Sequence, residues 1–332
     1  MAESLDLSTL AAQANAYYRE HNQDMHEELT IGLFDGEHSL ADRFTFVDGL
    51  TDEMQLYADV VDDFLHQHVP AQAGSFNPTA GVINVIPRFL KVRKYEGDLF
   101  FSDDQMETSN LMYLGLAKQM AKKMPSEVIP SLIDYLFGKV IIAKAQETLR
   151  KSIIQGAYDP TAPRSWTKIL DGVEKRISDA VTAGQVTPVA LSAMTTQNVV
   201  PQIESVFDEL GTAYKKANDA ICLVSSTVYA KLTRADLASL GRSDKFDSGQ
   251  GALTIAGYTN CQIKEEPNLT GTKVLVYRKS NALVGFDTAG IKPWEMQRID
   301  RANKMMLNGK LDFNFKAINN DPSNLNIAYG EL

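Results

Sequence analysis

Histidines are the residues of this chain with the clearest capacity to bind a metal. All five precede residue 69, and His66 and His68 are separated by a single residue. An extended segment with that spacing could supply two metal ligands. On a helix, however, residues i and i+2 point apart, and no cysteine lies nearby in the sequence. We therefore interpret these histidines as surface residues at a helix end, with no metal site.

Paired carboxylates are the second candidate for chemistry. Asp62-Asp63 and Asp103-Asp104 could in principle share general acid and base roles, but adjacent side chains rarely converge on one substrate. Both pairs fall at predicted helix boundaries, where aspartate interacts favourably with the helix dipole. The sequence has no P-loop, dinucleotide-binding, zinc-protease or serine-hydrolase motif. We predict no catalytic residues, no cofactor and no enzymatic activity.

A cluster of cations and aromatics is the third candidate. Its predicted site residues are Arg88, Lys91, Arg93, Lys94 and Tyr95. Such a mixture can bind nucleic acid. Glu96 and Asp98 follow directly, however, and the pI of 5.2 argues against a dedicated DNA-binding protein. We therefore predict a protein assembly interface on this ribbon.

The charge is unevenly distributed along the chain. Residues 1–63 contain 15 Asp or Glu and two Arg, a net charge of −13, whereas the whole chain carries −9. The remaining residues therefore carry a net +4. The acidic segment could be a solvated face, or an arm lying on a basic surface of its own chain or of a neighbour. No apolar run approaches 18 residues, so no membrane span is predicted, and both cysteines occupy apolar or alternating runs that favour reduced core thiols.

The elements that must position these residues begin with two predicted helices, 7–22 and 51–67. Turn-forming residues at 74–81 precede two predicted strands, Phe89–Tyr95 and Leu99–Phe101, joined by a turn at Glu96-Gly97-Asp98. Pro87 cannot donate to a sheet ladder, so this ribbon is predicted to be an edge or a free arm.

The rest of the chain indicates an α+β protein. A helical stretch at 104–123 precedes a long helix at about 131–155, which we expect to end at Gly156. Val274–Tyr277 and Ala282–Phe286 read as a hairpin, and the alternation of Leu311, Phe313 and Phe315 with polar residues predicts a half-buried strand. Further predicted helices are 167–182, 198–216 and 225–239. Further predicted strands are 219–224, 258–265 and 291–299.

In this order, the elements resemble the Hong Kong 97-type major capsid proteins of tailed bacteriophages, a fold shared with encapsulins. The resemblance is carried by five segments in sequence order, and each is a loose pattern of strands and helices. They are "FNPTAGVINVIPRFLKVRKYEGDLFFSDDQ" (76–105), "PSEVIPSLIDYLFGKVIIAKAQETLRKSIIQGAYD" (125–159), "WTKILDGVEKRISDAV" (166–181), "AICLVSSTVYAKLTRADL" (220–237) and "KVLVYRKSNALVGFDTAGIKPWE" (273–295).

The resemblance implies a division into domains. It implies an N-terminal arm at 1–75 and an extended β-hairpin loop at 76–105. A peripheral domain would comprise 106–160 and 291–332, with a spine helix at about 131–155, and a mixed α/β axial domain would span 161–290. Residues 1–75 are too few for a scaffolding region plus an arm, so a separate scaffolding protein is expected.

The resemblance also implies a function. The chain would assemble with itself, as hexamers and pentamers, into an icosahedral shell around packaged double-stranded DNA. A scaffolding protein, a portal and cement proteins would be partners, and contact with DNA would be non-specific. The chain would be synthesised in the host cytoplasm and reside in the virion capsid. An encapsulin-type shell around enzyme cargo and an unrelated enzyme remain as alternatives.

Overall fold

The computed structural model describes most of the chain beyond residue 38. The described residues are 12, 15, 16, 19, 39–61, 83–102, 104, 105, 108, 109, 112, 113, 115, 141–211, 215–240, 253–255, 258–287, 295–299, 302–316, 318 and 327–332. The chain divides into two compact units. Unit 1 comprises Met1–Asp52, Val92–Lys175 and Val284–Phe313, and unit 2 comprises Glu53–Lys91, Arg176–Leu283 and Asn314–Leu332.

The helices with described bounds lie between residues 142 and 240, interspersed with two strands, whereas the elements with described bounds before and after this range are mainly strands. The helices whose bounds lie within the described residues are α1 (Ile142–Gln155), α2 (Val173–Thr182), α3 (Val199–Asp208) and α4 (Ser226–Leu240). The strands are β1 (Thr45–Val47), β2 (Glu53–Val61), β3 (Ile83–Lys91), β4 (Arg93–Ser102), β5 (Val189–Ala190), β6 (Ala220–Ser225), β7 (Leu253–Ile255), β8 (Tyr258–Glu266), β9 (Val274–Arg278), β10 (Ala282–Phe286), β11 (Glu295–Ile299), β12 (Ala302–Phe315) and β13 (Ile327–Glu331).

A six-stranded sheet in the order β5-β13-β9-β6-β8-β7 forms the framework of unit 2. Every residue of β6 is buried, as expected for an uninterrupted apolar run covered on both faces. Helices α3 and α4 pack against this sheet through Ile203, Phe207 and Val228. Cys222 and Cys261 lie in the same core as free thiols, which confirms their prediction as buried thiols. Burial raises the pKa of Cys222, and it raises the pKa of Cys261 to about 12.

A second sheet, of five strands, belongs mainly to unit 1. Its order is β1-β10-β12-β11, and β4 pairs with β12. Phe44 packs edge-on against Phe313 with ring centroids 5.4 Å apart. The side chain of Asn15 lies at the outer edge of β11, where it donates to Met296 O and accepts from Met296 N–H, both at 2.7 Å. A residue of the acidic N-terminal segment therefore contacts the sheet of its own chain.

The strand ribbon around residue 90 differs from the sequence prediction. Residues 53–61 form a strand, so the helix predicted at 51–67 is wrong there, because Met54 and Leu56 turn inward and alternate with polar residues. This strand, β2, pairs antiparallel with β3. The turn predicted at Glu96-Gly97-Asp98 is also wrong, because these residues continue β4 and pair with β12. Pro87 lies in the two-stranded β2–β3 sheet, where both strands are edges, as predicted.

The predicted late hairpin is a crossover between sheets. β9 and β10 lie where they were predicted, but β9 joins the six-stranded sheet and β10 joins the five-stranded sheet. The intervening turn is a short 3-10 helix, Lys279–Asn281. Asp219 holds it in place by accepting from Arg278 Nε at 2.8 Å, from Ser280 Oγ at 2.6 Å and from Ser280 N–H at 3.2 Å.

Replacing Asp219 by alanine is expected to destabilise unit 2 by about 1–3 kcal/mol, because three donors lose their charged acceptor. Burial, the largest single influence, raises the pKa of Asp219, but the bonds from Ser280 and Arg278 together outweigh it and leave the pKa below its ordinary value. The contribution of Asp219 is therefore complete above the unfolded pKa of about 4 and is lost as the pH falls through the lower folded pKa. Urea unfolding from pH 7 to pH 2 measures this. Asp208→Ala, which removes an exposed carboxylate that makes a single ion pair, with Lys215, is the control, and equal effects of the two variants would contradict the assignment.

The end of α1 confirms the predicted end of the long helix at residue 155, whereas residues 131–140 lie outside the described part. Gly156 is not in a left-handed conformation, since its φ is −59° and its ψ 144°. A different constraint applies to it: a Cβ there would lie 2.4 Å from Ser152 O and 2.5 Å from Leu170 O. The half-buried strand predicted at 311–316 is buried on both faces as far as Phe315, because Asp312 and Asn314 are buried as well.

Candidate functional site

The five predicted interface residues are divided between two strands. Arg88 and Lys91 lie on β3 in unit 2, whereas Arg93, Lys94 and Tyr95 lie on β4 in unit 1. Val92 separates the strands, and its N–H donates to Asp52 O at 2.9 Å. The sequence cluster is therefore not one continuous ribbon, and each residue has its own surroundings.

Arg88 and Lys91 both have partners within unit 2. Arg88 Nη2 donates to Gln185 Oε1 at 3.0 Å, and burial, followed by the like charge of Arg176, lowers the pKa of Arg88. Lys91 Nζ lies 3.8 Å from Glu53 Oε2, with both side chains largely exposed. An exposed pair of this kind contributes only about 0–1 kcal/mol. Arg88 is therefore the better anchored of the two cations.

The side chain of Arg93 makes its described contacts within unit 1. Its guanidinium lies 3.1 Å from Asp171 Oδ2 and 3.7 Å from the ring centroid of Tyr158. The ion pair is mostly buried. The cation–π interaction with Tyr158 is stronger for the same reason, because the cation is shielded from water. Arg93 therefore fastens β4 to the segment that connects α1 with α2.

Replacing Arg93 by alanine is expected to lower the free energy of unfolding by about 2 kcal/mol, since it removes both a shielded ion pair and a cation–π contact. Lys94→Ala is the matched control on the next residue, and about 0.5 kcal/mol or less is expected for it because Lys94 is exposed. Chemical denaturation of both variants measures this difference in stability. Equal denaturation midpoints would contradict a stabilising role for the Arg93 contacts.

Tyr95 is also turned toward its own unit. It lies directly opposite Gly309 on β12, and a Cβ on that glycine would lie 2.1 Å from the Tyr95 hydroxyl. The ring therefore covers the glycine across the strand pair, an arrangement that stabilises glycine within a sheet. Burial raises the pKa of Tyr95. Of the three β4 residues, only Lys94 has its side chain exposed.

A second group of side chains, which the sequence did not single out, lies on the exposed face of β4 and beside it. We name it the Phe100 surface, and it comprises Phe100, Asp98, Arg164 and Lys304. Phe100 is 65% exposed and lies opposite Lys304 in the β4–β12 register. Asp98 is two residues from Phe100 on the same strand face, and it pairs with Arg164 and with Lys304 Nζ, the latter at 3.8 Å.

The sequence contained part of the signal for this surface. Alternation along β4 places Lys94, Glu96, Asp98 and Phe100 on one face, but the expected turn at 96–98 interrupted that pattern. Arg164 belongs to the segment between α1 and α2, and Lys304 to β12. Only the ion pair with Asp98 and the pairing of β4 with β12 bring these two cations close to the strand that carries Phe100.

The described residues give little evidence for a metal site or a catalytic site. Among them, no group of three or more His, Cys, Asp or Glu side chains could hold a metal ion. All five histidines and Asp62-Asp63 lie outside the described residues. The helices in the described part of the chain are too short or too polar to cross a membrane.

Comparisons with known proteins identify the fold. No protein-family model matches the sequence, and no curated protein is significantly similar. A chain from the satellite phage P4 procapsid, which includes the size determination (Sid) protein, is similar in structure, with a TM-score of 0.55 and 10% identity over 94% of this chain and 98% of that one. The capsid of Myoviridae phage XM1 gives a TM-score of 0.50 at 11% identity, covering 89% and 90% of the two chains. The cyanophage A-1(L) capsid gives 0.50 at 10% identity, covering 88% and 91%. The chain therefore has a phage capsid protein fold of mixed helices and sheets, which confirms the fold predicted from the sequence.

Proposed function

We propose that this protein is a capsid shell subunit with a structural rather than enzymatic role. The observation that carries the proposal is the likeness to the P4 procapsid chain, which extends over 94% of this chain and 98% of that one. A likeness of that extent includes both sheets and the helices between them. It is not limited to one common supersecondary motif.

The finer form of the proposal is a closed icosahedral shell of a tailed phage. Copies of the chain form hexamers and pentamers that enclose double-stranded DNA, touching it without sequence preference. A separate scaffolding protein, a portal and cement proteins take part, and the finished subunit resides in the virion after synthesis in the host cytoplasm. Many modest contacts suffice for such a shell, because each copy is held by several neighbours at once.

The domain assignment is part of this proposal. Residues 1–75 form the arm, 106–160 and 291–332 the peripheral domain, and 161–290 the axial domain. Residues 76–105 remain the proposed extended loop, in which β3 pairs antiparallel with β2 of the arm. Arg88, Lys91, Arg93, Lys94 and Tyr95 stay proposed as assembly residues, with Lys94 and Lys91 the exposed members.

The alternative is a nanocompartment shell that encloses an enzyme cargo, since the resemblance stated from the sequence is shared with encapsulins. Electron microscopy of the purified protein, combined with nuclease digestion and extraction of protected DNA, separates the possibilities. Icosahedral shells with protected double-stranded DNA support the phage capsid. Shells holding a co-purifying protein instead support the nanocompartment, and the absence of any shell under assembly conditions contradicts both.

A further inference from the structure

The dipeptide that follows β1, which we name the Asp48–Gly49 link, has an unusual internal contact. The main-chain N–H of Gly49 donates to Oδ1 of the preceding Asp48 at 2.6 Å. Because the carboxyl carbon Cγ of Asp48 is bonded to that oxygen, it also lies close to the Gly49 nitrogen. These two atoms react in succinimide formation, in which a main-chain nitrogen attacks the side-chain carboxyl carbon of the residue before it. The link therefore holds its reacting atoms in a near-attack arrangement.

The five-stranded sheet of unit 1 holds the chain on both sides of this link. Before it, β1 lies beside β10 in the sheet, and Phe46 packs edge-on against Phe286 with ring centroids 6.2 Å apart. After it, the N–H of the buried Leu50 donates to Phe286 O at 3.1 Å. The link is therefore fixed in the conformation that brings the nitrogen to the carboxyl group, whereas an unfolded chain visits that conformation only transiently.

The surroundings of Gly49 leave room for a ring to form. Its φ is +77°, in the left-handed region that glycine adopts without the steric cost of a Cβ. Among the described residues beyond its chain neighbours, no atom lies within 4 Å of the position that a Cβ would take. Asp48 and Gly49 are both exposed, so water can reach the ring and open it.

We propose that the Asp48–Gly49 link is a modification site at which the chain slowly forms isoaspartate. The Gly49 nitrogen forms a bond to Cγ of Asp48 in its protonated carboxyl form, the Cγ–OH bond breaks, and the hydroxyl leaves with the amide proton as water. Water then opens the succinimide ring. Opening at Cγ restores aspartate, whereas opening at the main-chain carbonyl carbon leaves Gly49 joined to the side chain, which is isoaspartate. The reaction needs no metal and no oxidant, and the proposal does not depend on the proposed function.

A second Asp-Gly pair in the described chain is held in a different geometry. The N–H of Gly172 donates to Gly156 O at 2.8 Å, and not to the carboxylate of Asp171. Asp171 is mostly buried, accepts from Tyr158 N–H at 3.0 Å and lies 3.1 Å from the guanidinium of Arg93. The two pairs are therefore chemically identical in sequence, but the structure favours the reaction only at the first.

The pair Asn308–Gly309 is a further comparison. An Asn-Gly pair forms the same ring more readily than an Asp-Gly pair in an unfolded chain, because ammonia leaves in place of water. Here, however, both residues lie within β12 and are paired with Glu96 and Tyr95 of β4. The strand pairing fixes an extended backbone, so we expect folding to protect this pair.

Peptide mapping of the full chain after storage in mildly acidic buffer tests the proposal. Folded protein and protein unfolded in guanidinium are incubated side by side, and isoaspartate is located by electron-transfer fragmentation and quantified with an isoaspartyl methyltransferase. We expect the ratio of isoaspartate at Asp48 to that at Asp171 to be at least about tenfold higher in the folded protein. A misplacement of about 1 Å from the attack geometry can by itself slow a reaction about a hundredfold.

Two variants of Asp48 give matched controls in folded protein, with folding verified by circular dichroism. Asp48→Glu keeps the carboxylate but would need a six-membered ring, which forms far more slowly, so the modification at this position should disappear. Asp48→Asn keeps the five-membered ring and improves the leaving group, so the modification should become faster.

The modification should also loosen the sheet, because isoaspartate adds one carbon to the main chain between β1 and Leu50. We expect the Leu50 N–H of the modified chain to exchange with solvent about 2- to 10-fold faster, the effect of weakening one hydrogen bond. Exchange at an unchanged rate would contradict this consequence.

Three results would overturn the proposed site. The first is an equal Asp48 to Asp171 ratio in folded and unfolded protein, since the folded geometry would then add nothing to the sequence. The second is folded protein in which isoaspartate accumulates at Asp171 or Asn308 instead. The third is modification of the Asp48 peptide that persists in Asp48→Glu, which would assign the reaction to another residue.

Discussion

Replacing Lys310 by methionine is expected to be one of the most damaging single changes in unit 1. Lys310 Nζ lies 2.6 Å from Asp287 Oδ2 and 2.9 Å from Thr51 O, and the Asp287 side chain is only 1% exposed. Methionine preserves the length of the side chain but removes the ammonium group that compensates a buried carboxylate. Breaking a buried pair from one side costs about 3–5 kcal/mol, and we expect a loss in that range in the free energy of unfolding.

The neighbouring lysine of the same strand supplies the control. Lys304 also lies on β12, and it pairs with Asp98 at 3.8 Å in a more exposed position, so Lys304→Met should cost about 1 kcal/mol or less. Adding Asp287→Asn to Lys310→Met removes the uncompensated charge and should recover part of the loss. Guanidinium unfolding of the three variants measures these differences. Lys310→Met with a cost similar to that of Lys304→Met would show that the pair is not desolvated as the contacts indicate.

The close approach of Gly156 and Gly172 is expected to make these two positions the second most sensitive to substitution. Gly172 N–H donates to Gly156 O at 2.8 Å, and a Cβ on Gly172 would lie 2.7 Å from both Ser152 O and Ile153 O. These obstacles are backbone atoms at the end of α1, which cannot rotate away as a side chain could. Gly172→Ala should therefore cost about 1–3 kcal/mol by overpacking, and Gly156→Ala a similar amount.

Other glycines of unit 1 make matched controls for this prediction. Gly115 is helical and has nothing within 4 Å of a Cβ position, so Gly115→Ala should stabilise by about 0.5–1 kcal/mol. Gly97 would place its Cβ at an ordinary 3.6 Å from Leu307 and should accept alanine with little change. Thermal unfolding of the four alanine variants checks the order. Gly172→Ala as stable as Gly97→Ala would mean that α1 and the connecting segment can separate without cost.

Local sequence patterns predicted a large part of the fold. The apolar run from Ala220 to Val224, the helix that begins at Ser226 and the strand ending at Phe315 each lie where the sequence predicts them. A long uninterrupted apolar run or a strict alternation allows few alternatives, because each residue's burial is decided by one repeating geometry. The order of these elements was enough to predict a phage capsid protein fold, which the structural comparisons confirm.

The assembly residues were less predictable, because their surroundings depend on strand pairing. Arg93 looks like a free cation beside Lys94 in the sequence, yet it is held by Asp171 and Tyr158, which lie more than 60 positions away. The surface around Phe100 could not be predicted from the sequence, because Arg164 and Lys304 come from distant parts of the chain.

By itself, the sequence determined most of the helical and extended stretches beyond residue 140, and it determined that the chain separates an acidic N-terminal segment from a mildly basic remainder. Only the tertiary structure decided which strands pair. In the structure, Glu53–Val61 pairs with Ile83–Lys91, and β4 continues through Gly97. Strands β9 and β10 belong to different sheets. The physical reason is that backbone hydrogen bonds between strands are the same for any sequence. Partner choice therefore depends on the burial of both faces by distant side chains, which no local window of sequence contains.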